Sequence, residues 1–203
     1  HPKIIVGFSD ITILLLYFHM RYGWMTFHGP TIASELYKGM PPHTEESFFQ
    51  VLTQGRKLGD LAKSDLEIIK TGEAKGRLIG GNLTRMISTL GTPFEINTHN
   101  RVLFIEEIDE GYIALESALN HLKLAGKLEK VKGVVFSKMI GCLDNSPQKM
   151  RMFLKRFFRK ANYPVLYGFP SGHGIENLTI PIGARVSMSS ISKRLIFEEG
   201  GVS

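Results

Sequence analysis

Short β-branched runs that end in glycine alternate with apolar stripes of helical spacing, and this alternation constrains the fold of the chain most strongly. Residues 3–7 form one such run, and a helical stripe starts at Ile11. Residues 77–81 form another, ending in two glycines, and Asn82 is placed to cap a helix that begins at Leu83. Strands that alternate with helices in this way predict the α/β class.

The pattern changes near the first third of the chain. Residues 56–75 are charged and mixed in composition, which predicts a linker. We therefore expect a first domain at residues 1–55 and a second at residues 76–203. Pro41, Pro42 and His43 interrupt the first part, and Thr44 is placed to cap the helix that follows.

Cysteine content and hydropathy limit the kinds of protein to consider. Cys142 is the only cysteine, which excludes an intramolecular disulfide and a thiolate-built metal site and suits a reducing compartment. The longest apolar run, residues 11–18, is far shorter than the roughly 20 residues that cross a bilayer. We predict no membrane span, no secretion signal and a cytoplasmic location.

The net charge of +6 includes a dense basic segment at residues 149–160. Apolar residues recur there at i, i+3, i+4, i+7 and i+8 with Lys and Arg between them, which predicts an amphipathic helix. Its basic face is compatible with binding nucleic acid or an anionic membrane. A solvated face above a core-facing stripe explains the pattern as well, and we expect neither partner.

Ser9 and Asp10 stand where a predicted strand passes into a helix. A serine on such a turn projects its hydroxyl from the sheet, and the helix N-terminus offers unpaired N–H groups that can stabilise an oxyanion. The alternative is that Ser9 or Asp10 only caps the helix, because the second glycine of the usual nucleophile elbow is replaced by Ile11.

Two further candidates follow predicted strands. Glu106 ends the strand at residues 102–105 and belongs to an acidic cluster with Glu107, Asp109 and Glu110. Four carboxylates so close repel one another, so some must be solvated or paired, and a solvated loop is the alternative to a role in orienting an imidazole.

Glycines flank His173 on a loop, where catalytic groups commonly lie. His28 in Phe27-His28-Gly29-Pro30 is a competing histidine of similar appearance. Taken alone, either histidine is better explained by a structural role.

Ser9, Glu106 and His173 occur in the order serine, acid, histidine, each at a strand end. A serine hydroxyl is a weak nucleophile until an imidazole takes its proton, and a carboxylate fixes the imidazole tautomer. The three residue types are therefore those of a nucleophilic triad.

The chain resembles the LD-carboxypeptidase family of serine peptidases, which includes murein tetrapeptide carboxypeptidases and microcin C self-immunity peptidases. The matching blocks run in family order over nearly the whole chain. They are residues 6–12, 26–30, 80–83, 90–93, 103–107 with Glu110, and 172–173 followed by 179–184.

The resemblance implies that Ser9 is the nucleophile, Glu106 the triad acid and His173 the general base. It implies a partial amino-terminal Rossmann-like α/β domain, a carboxy-terminal α/β domain with a mixed sheet, and an active site between them. The backbone N–H of Asp10 would be an oxyanion donor. Gly80, Gly81 and Asn82 would contribute to substrate binding, although a tight turn and a helix cap explain them equally well.

The resemblance further implies a murein-derived peptide substrate, no metal or other cofactor, and a homodimer.

Two departures from the family pattern stand out. Only eight residues precede Ser9, so the glycine-rich loop that supplies a second oxyanion donor is absent from this chain. Loss of one such donor lowers turnover about 100- to 1000-fold, so we do not expect the chain to be competent alone. Glu107 stands where family members often have aspartate.

Three functions remain open from the sequence. The first is a serine carboxypeptidase that releases terminal D-alanine from murein tetrapeptides during peptidoglycan recycling. The second is an immunity-type peptidase that hydrolyses peptidyl or aminoacyl nucleotides. The third is a non-catalytic module that binds an anionic partner through the basic helix at residues 149–160.

Overall fold

The computed structural model describes residues 2–202, except the side chain of Ser34. A 3-10 turn at Ser9–Ile11 and a π-helical segment at Ile32–Leu36 accompany the regular elements. The strands are β1 (Val6–Gly7), β2 (Thr26–His28), β3 (Glu67–Lys70), β4 (Glu73–Asn82), β5 (Arg101–Glu106), β6 (Gly133–Ser137), β7 (Val165–Phe169), β8 (Ile180–Ile182), β9 (Arg185–Ser189) and β10 (Arg194–Phe197). The helices are α1 (Thr12–Tyr22), α2 (Pro42–Thr53), α3 (Leu83–Ser88), α4 (Tyr112–Leu124), α5 (Cys142–Asn145) and α6 (Pro147–Phe157).

A seven-stranded mixed sheet forms the larger part of the molecule, with strand order β10-β9-β4-β5-β6-β7-β3. Strands β4 to β7 are parallel, whereas β3, β9 and β10 are antiparallel to their neighbours. Because parallel strands share a direction, the carboxyl ends of β4, β5, β6 and β7 meet at one edge of the sheet.

A second sheet of three strands has the order β1-β2-β8. Strands β1 and β2 are parallel, and β8, which comes late in the chain, pairs antiparallel with β2. The carboxyl half of the chain therefore completes the sheet that carries Ser9. This pairing joins the two predicted domains.

The central strands are apolar on both faces because helices or loops cover each side. Leu103 and Ile105 face one core, which lies under the helices, and Val102 and Phe104 face the other. This alternation follows from the two-residue period of a strand. The fold is thus a mixed α/β structure, as the alternation of strand and helix patterns predicts.

The segment predicted as a linker, residues 56–75, differs from that expectation in the structure. It contains β3, which is an edge strand of the large sheet, and the first residues of β4. Leu61 and Leu66 from the same segment are buried in the core. The charged residues that suggested a linker are exposed or half-buried, and the division into domains stays a prediction.

The basic segment forms α6, and its apolar stripe is buried through Met150, Phe153 and Leu154, which confirms the amphipathic helix. Two of its arginines form ion pairs, Arg151 with Glu67 and Arg156 with Glu116. Much of the basic face is therefore neutralised within the chain. Among residues 2–202, no helix combines the length and apolar character that a bilayer crossing requires.

Candidate active site

The turn after β1 holds Ser9 in an unusual backbone conformation. Ser9 has a φ of 57°, in the left-handed region that few residues other than glycine adopt, and it opens the 3-10 turn that leads into α1. Gly7 is required just before it, because a Cβ there would lie 2.7 Å from Ile11 Cγ2. The left-handed backbone of Ser9 costs strain energy of order 1–3 kcal/mol, and strain of this kind is typical of functional turns.

Glu106 and His173 form a direct hydrogen-bonded pair. His173 Nδ1 donates to Glu106 Oε1, and the backbone N–H of His173 lies 3.4 Å from the same oxygen. The Glu106 side chain is 1% exposed and that of His173 is 19% exposed. A buried carboxylate thus fixes the tautomer of an imidazole that still reaches the surface, which leaves Nε2 available as a base.

Gly172 allows the loop that carries His173 to lie directly against Glu106. Its φ is 111°, and a Cβ at this position would lie 2.3 Å from Glu106 Cγ. Gly172, one of the two glycines that flank His173, is therefore needed for the pair itself.

The four carboxylates of the acidic cluster form a buried pair and a pair that reaches the surface, as their mutual repulsion requires. Glu106 and Glu107 are buried and hydrogen-bonded, whereas Asp109 and Glu110 reach the surface. Glu107 accepts from the backbone N–H and hydroxyl of Thr84 at 2.8 and 2.6 Å, so it holds the start of α3.

Asn82 connects these carboxylates to α3. Its Nδ2 donates to Glu106 Oε2 at 3.1 Å and to Glu107 Oε1 at 2.8 Å, while its Oδ1 accepts from the backbone N–H of Arg85. The predicted helix cap is therefore confirmed. Each polar atom of the Asn82 amide already has a partner within the protein, and a direct contact with substrate stays a prediction.

Gly80 and Gly81 bring β4 close to its neighbours. A Cβ at Gly80 would lie 1.9 Å from the carbonyl oxygen of Phe104, and one at Gly81 would lie 2.7 Å from Thr12 Cγ2. The Gly81 contact lets α1, which follows the Ser9 turn, pack against β4. The structure gives both glycines a packing role, and their substrate-binding role stays a prediction.

Hydrogen bonds and charges shift the titration of the pair in opposite directions. The hydrogen bond with Glu106 raises the pKa of His173 above its usual value, although partial burial opposes this. Burial acts to raise the pKa of Glu106, but the hydrogen bonds from His173 and Asn82 and the charge of protonated His173 outweigh it, so the pKa is lowered. The pair therefore favours a carboxylate beside an imidazole that readily accepts a proton.

Phe8, the residue that directly precedes Ser9, contacts this pair. The Phe8 ring lies edge-on to the His173 imidazole, with 4.8 Å between ring centroids. Within residues 2–202, the hydrogen bonds of the His173 ring go to Glu106, and none joins it to Ser9. Contacts between a nucleophile and its base are commonly longer without substrate and tighten in the complex.

Asp10, the second residue of the turn, has an exposed carboxylate that forms an ion pair with Arg85 Nε at 2.8 Å. Its backbone N–H lies in the 3-10 turn that leads into α1, where the first N–H groups have no intrahelical acceptor. A role as oxyanion donor is compatible with this position and stays a prediction.

Asn177 is a site residue that the sequence reasoning missed. It is fully buried, its Oδ1 accepts from the N–H of Gly172 at 2.8 Å, and its N–H donates to Thr44 Oγ1 at 3.1 Å. Thr44 thus holds the His173 loop instead of capping α2, which begins at Pro42. No local pattern marks Asn177, because its partner Thr44 lies more than a hundred residues earlier in the sequence.

Replacing Asn82 with alanine is expected to lower the free energy of unfolding by about 1–3 kcal/mol, because two buried carboxylates lose their donor and α3 loses its cap. Urea denaturation would measure the change. Alanine at Asn162, which is exposed, is the control and should change stability little. Equal stability of the two variants would contradict the assigned network.

A turn-borne serine, an imidazole and a buried carboxylate at the strand ends of an α/β scaffold are typical of serine hydrolases. Two family models match the chain. The LD-carboxypeptidase C-terminal domain matches residues 75–188, and the LD-carboxypeptidase N-terminal domain matches residues 1–29. The chain belongs to the LD-carboxypeptidase family.

Sequence and structural relatives agree with this assignment. A probable murein peptide carboxypeptidase of Bacillus subtilis is 36% identical over 98% of the chain, which spans 64% of that relative. The microcin self-immunity protein MccF of Escherichia coli is 27% identical over 98% of the chain, which spans 66% of it.

Solved structures of both kinds of relative superpose well. MccF in complex with glutamyl sulfamoyl guanosine has a TM-score of 0.85 and 25% identity, covering 100% of this chain and 69% of that one. Muramoyltetrapeptide carboxypeptidase from Oxalobacter formigenes has a TM-score of 0.82 and 26% identity, covering 98% and 69% respectively. The chain thus spans about two thirds of the length of these relatives.

Proposed function

We propose that this chain carries the catalytic residues of a serine carboxypeptidase that releases terminal D-alanine from murein tetrapeptides. Ser9 is the nucleophile, His173 the general base and Glu106 the acid that orients it. The observation that carries the proposal is the buried Glu106–His173 pair, in ring contact with Phe8, which directly precedes the left-handed residue Ser9. Because the chain spans 64% of its Bacillus subtilis relative, the proposal concerns the full natural protein.

The proposed reaction proceeds in two halves. His173 Nε2 takes the proton of Ser9 Oγ as the oxygen attacks the carbonyl carbon, and Glu106 stabilises the imidazolium that forms. The backbone N–H of Asp10 donates to the oxyanion. His173 then returns the proton to the leaving amine of D-alanine, and water activated by His173 hydrolyses the acyl-enzyme. These steps require no metal ion or other cofactor.

The substrate follows from the names of the relatives and from the family resemblance. The bond would join the L-centre of meso-diaminopimelate or lysine to the terminal D-alanine of a murein tetrapeptide. This activity would serve peptidoglycan recycling in the cytoplasm. The resemblance also suggests a homodimer, which light scattering of the full protein would test.

The assay that tests this function supplies the full protein with a murein tetrapeptide and measures free D-alanine. A tetrapeptide with L-alanine at its end is the matched control substrate. We expect release from the first peptide and little from the second. Absence of D-alanine release would refute the substrate assignment.

Hydrolysis of an aminoacyl nucleotide is the second candidate, because the chain superposes on MccF as well as on the muramoyltetrapeptide carboxypeptidase. The two activities share the same reacting groups and differ in the substrate pocket. Assay of an aminoacyl-adenylate analogue beside the tetrapeptide distinguishes them. A larger kcat/KM for the nucleotide would favour this alternative.

The non-catalytic alternative relies on the basic face of α6. Arg151 and Arg156 are held in ion pairs with Glu67 and Glu116, which weakens that face as an anion-binding surface. Binding to nucleic acid that falls steeply with salt, and that is lost with Arg151, Lys155 and Arg156, would support it.

The raised pKa of His173 predicts the pH dependence of the reaction. Only neutral His173 can act as base, so kcat/KM rises with pH through a pKa above the ordinary imidazole value of about 6.5. In Glu106→Gln the carboxylate charge is lost, so this limb should move to lower pH while kcat falls. A limb at the same pH in both proteins would contradict the assigned pair.

A further inference from the structure

His28, the histidine that competes with His173 in the sequence analysis, lies between the two segments that carry Ser9 and His173. It is the last residue of β2 and is fully buried. On one side it pairs with Gly7 of β1, two residues before Ser9, and on the other it pairs with Ile180 of β8. Its backbone thus links the nucleophile turn to the strand that follows the His173 loop.

The side chain of His28 also holds this loop. Ser171 Oγ donates its one proton to the carbonyl oxygen of Leu178 at 2.7 Å, so at 3.1 Å from His28 Nδ1 it can only accept. The hydrogen-bond network therefore assigns the Nδ1–H tautomer to His28. Ser171 and Leu178 lie near the two ends of the loop that contains His173. The His28 imidazole, bonded to Ser171, therefore stabilises both ends.

Phe8 connects His28 to the rest of the site. Its ring lies edge-on to both imidazoles, with centroid distances of 6.1 Å to His28 and 4.8 Å to His173. Phe8 directly precedes Ser9. A change in the position of His28 would therefore move the residue before Ser9 and the loop of His173 together.

Burial keeps His28 uncharged. Desolvation lowers the pKa of His28 to about 4, and the titratable groups around it are Glu106, Glu35 and His173. A neutral ring beside His173 does not oppose protonation of His173, as a second cation would. Among residues 2–202, His28 Nε2 is buried without a hydrogen-bond partner, so the ring forms its hydrogen bond through Nδ1.

We propose that His28 is a positioning residue that fixes the His173 loop relative to the Ser9 turn through its Nδ1–H bond to Ser171 and its contact with Phe8. The catalytic roles of Ser9 and His173 rest on the proposed function, whereas the packing around His28 does not.

Four variants of the full protein test this role. His28→Leu removes the donor, His28→Asn supplies an amide N–H in place of Nδ1–H, and Ser171→Ala removes the acceptor. We expect His28→Leu and Ser171→Ala to lower kcat about 10- to 100-fold with KM nearly unchanged, since small displacements of catalytic groups have effects of this size. His28→Asn should restore most of the loss, and the double variant His28→Leu/Ser171→Ala should lose no more than either single change.

A second measurement does not depend on the substrate. NMR of the imidazole protons of His173 as a function of pH measures its pKa, which the contact with Glu106 raises. Glu107 and Glu35 are the other charged groups that raise this pKa. The pKa of His173 should be elevated in the wild type and in His28→Asn, and should fall in His28→Leu and Ser171→Ala. Ser171→Ala gives the same comparison if His28→Leu does not fold.

The outcomes separate this inference from the proposed function. If the wild type releases no D-alanine, the proposed function fails, and the NMR titration still decides the role of His28. Identical titration of His173 in the wild type and Ser171→Ala would overturn the positioning role. Lower stability of His28→Leu with unchanged kcat would also overturn it, because a purely structural residue gives that result.

Discussion

Replacing Ser9 with alanine is expected to lower kcat for D-alanine release about 10,000-fold or more, because no other group in the proposed site can form the acyl-enzyme. KM should change much less, since the hydroxyl makes its main contribution at the bond-forming step. Measurement of D-alanine release by the full protein under saturating tetrapeptide gives the comparison.

Ser64→Ala is the matched control for this change. Ser64 is exposed and precedes β3 at the edge of the large sheet, whereas Glu106 ends the central strand β5, so the Ser64 hydroxyl should contribute nothing to the reaction. Thermal unfolding of both variants shows whether the fold is retained. Equal activity of Ser9→Ala and Ser64→Ala would end the assignment of Ser9 as nucleophile.

Replacing Gly172 with alanine is expected to have the second largest effect, lowering kcat about 100-fold or more. The new Cβ would lie 2.3 Å from Glu106 Cγ, so the loop must withdraw and the bond between Glu106 and His173 must lengthen. The alanine would also have to adopt a φ of 111°. Steady-state kinetics and the pH profile of kcat/KM both report the loss.

Gly168→Ala distinguishes the clash from the backbone strain. Gly168 has a φ of 97°, but a Cβ there meets no atom within 4 Å. It should therefore lower stability through strain while retaining most of kcat. If Gly172→Ala and Gly168→Ala reduce kcat equally, close packing against Glu106 is not what the glycine provides.

Local patterns in the sequence predicted the elements that carry the site. The apolar run at residues 102–105 is β5, and Glu106 ends it as expected. Asn82 caps α3 because a short polar side chain before an apolar helix start satisfies a free N–H. Signals of this kind depend on neighbouring residues, so they can be read without the fold.

Pairings between distant segments could not be predicted in the same way. The strand β3 is only four residues long and acquires its place by pairing with β7, almost a hundred residues later. Residues 56–75 therefore resembled a linker. The contact of Asn177 with Thr44 is likewise set by the packing of a loop on α2.

His28 shows most clearly what sequence patterns alone could not predict. The sequence marked it as a competitor of His173, since both precede glycine. Burial separates the two, because His28 is fully enclosed whereas the side chain of His173 is 19% exposed. Solvent access of this kind follows from tertiary packing and not from the motif.

The most direct test of the account is whether Ser9 is an activated nucleophile. Mass spectrometry of the full protein after reaction with a fluorophosphonate, which modifies activated serines, would locate the adduct. We predict a single adduct on Ser9 in the wild type and a strongly reduced yield in Glu106→Gln. Modification of a different serine, or equal labelling of Ser9 in both proteins, would contradict the proposed coupling of Ser9 to the Glu106–His173 pair.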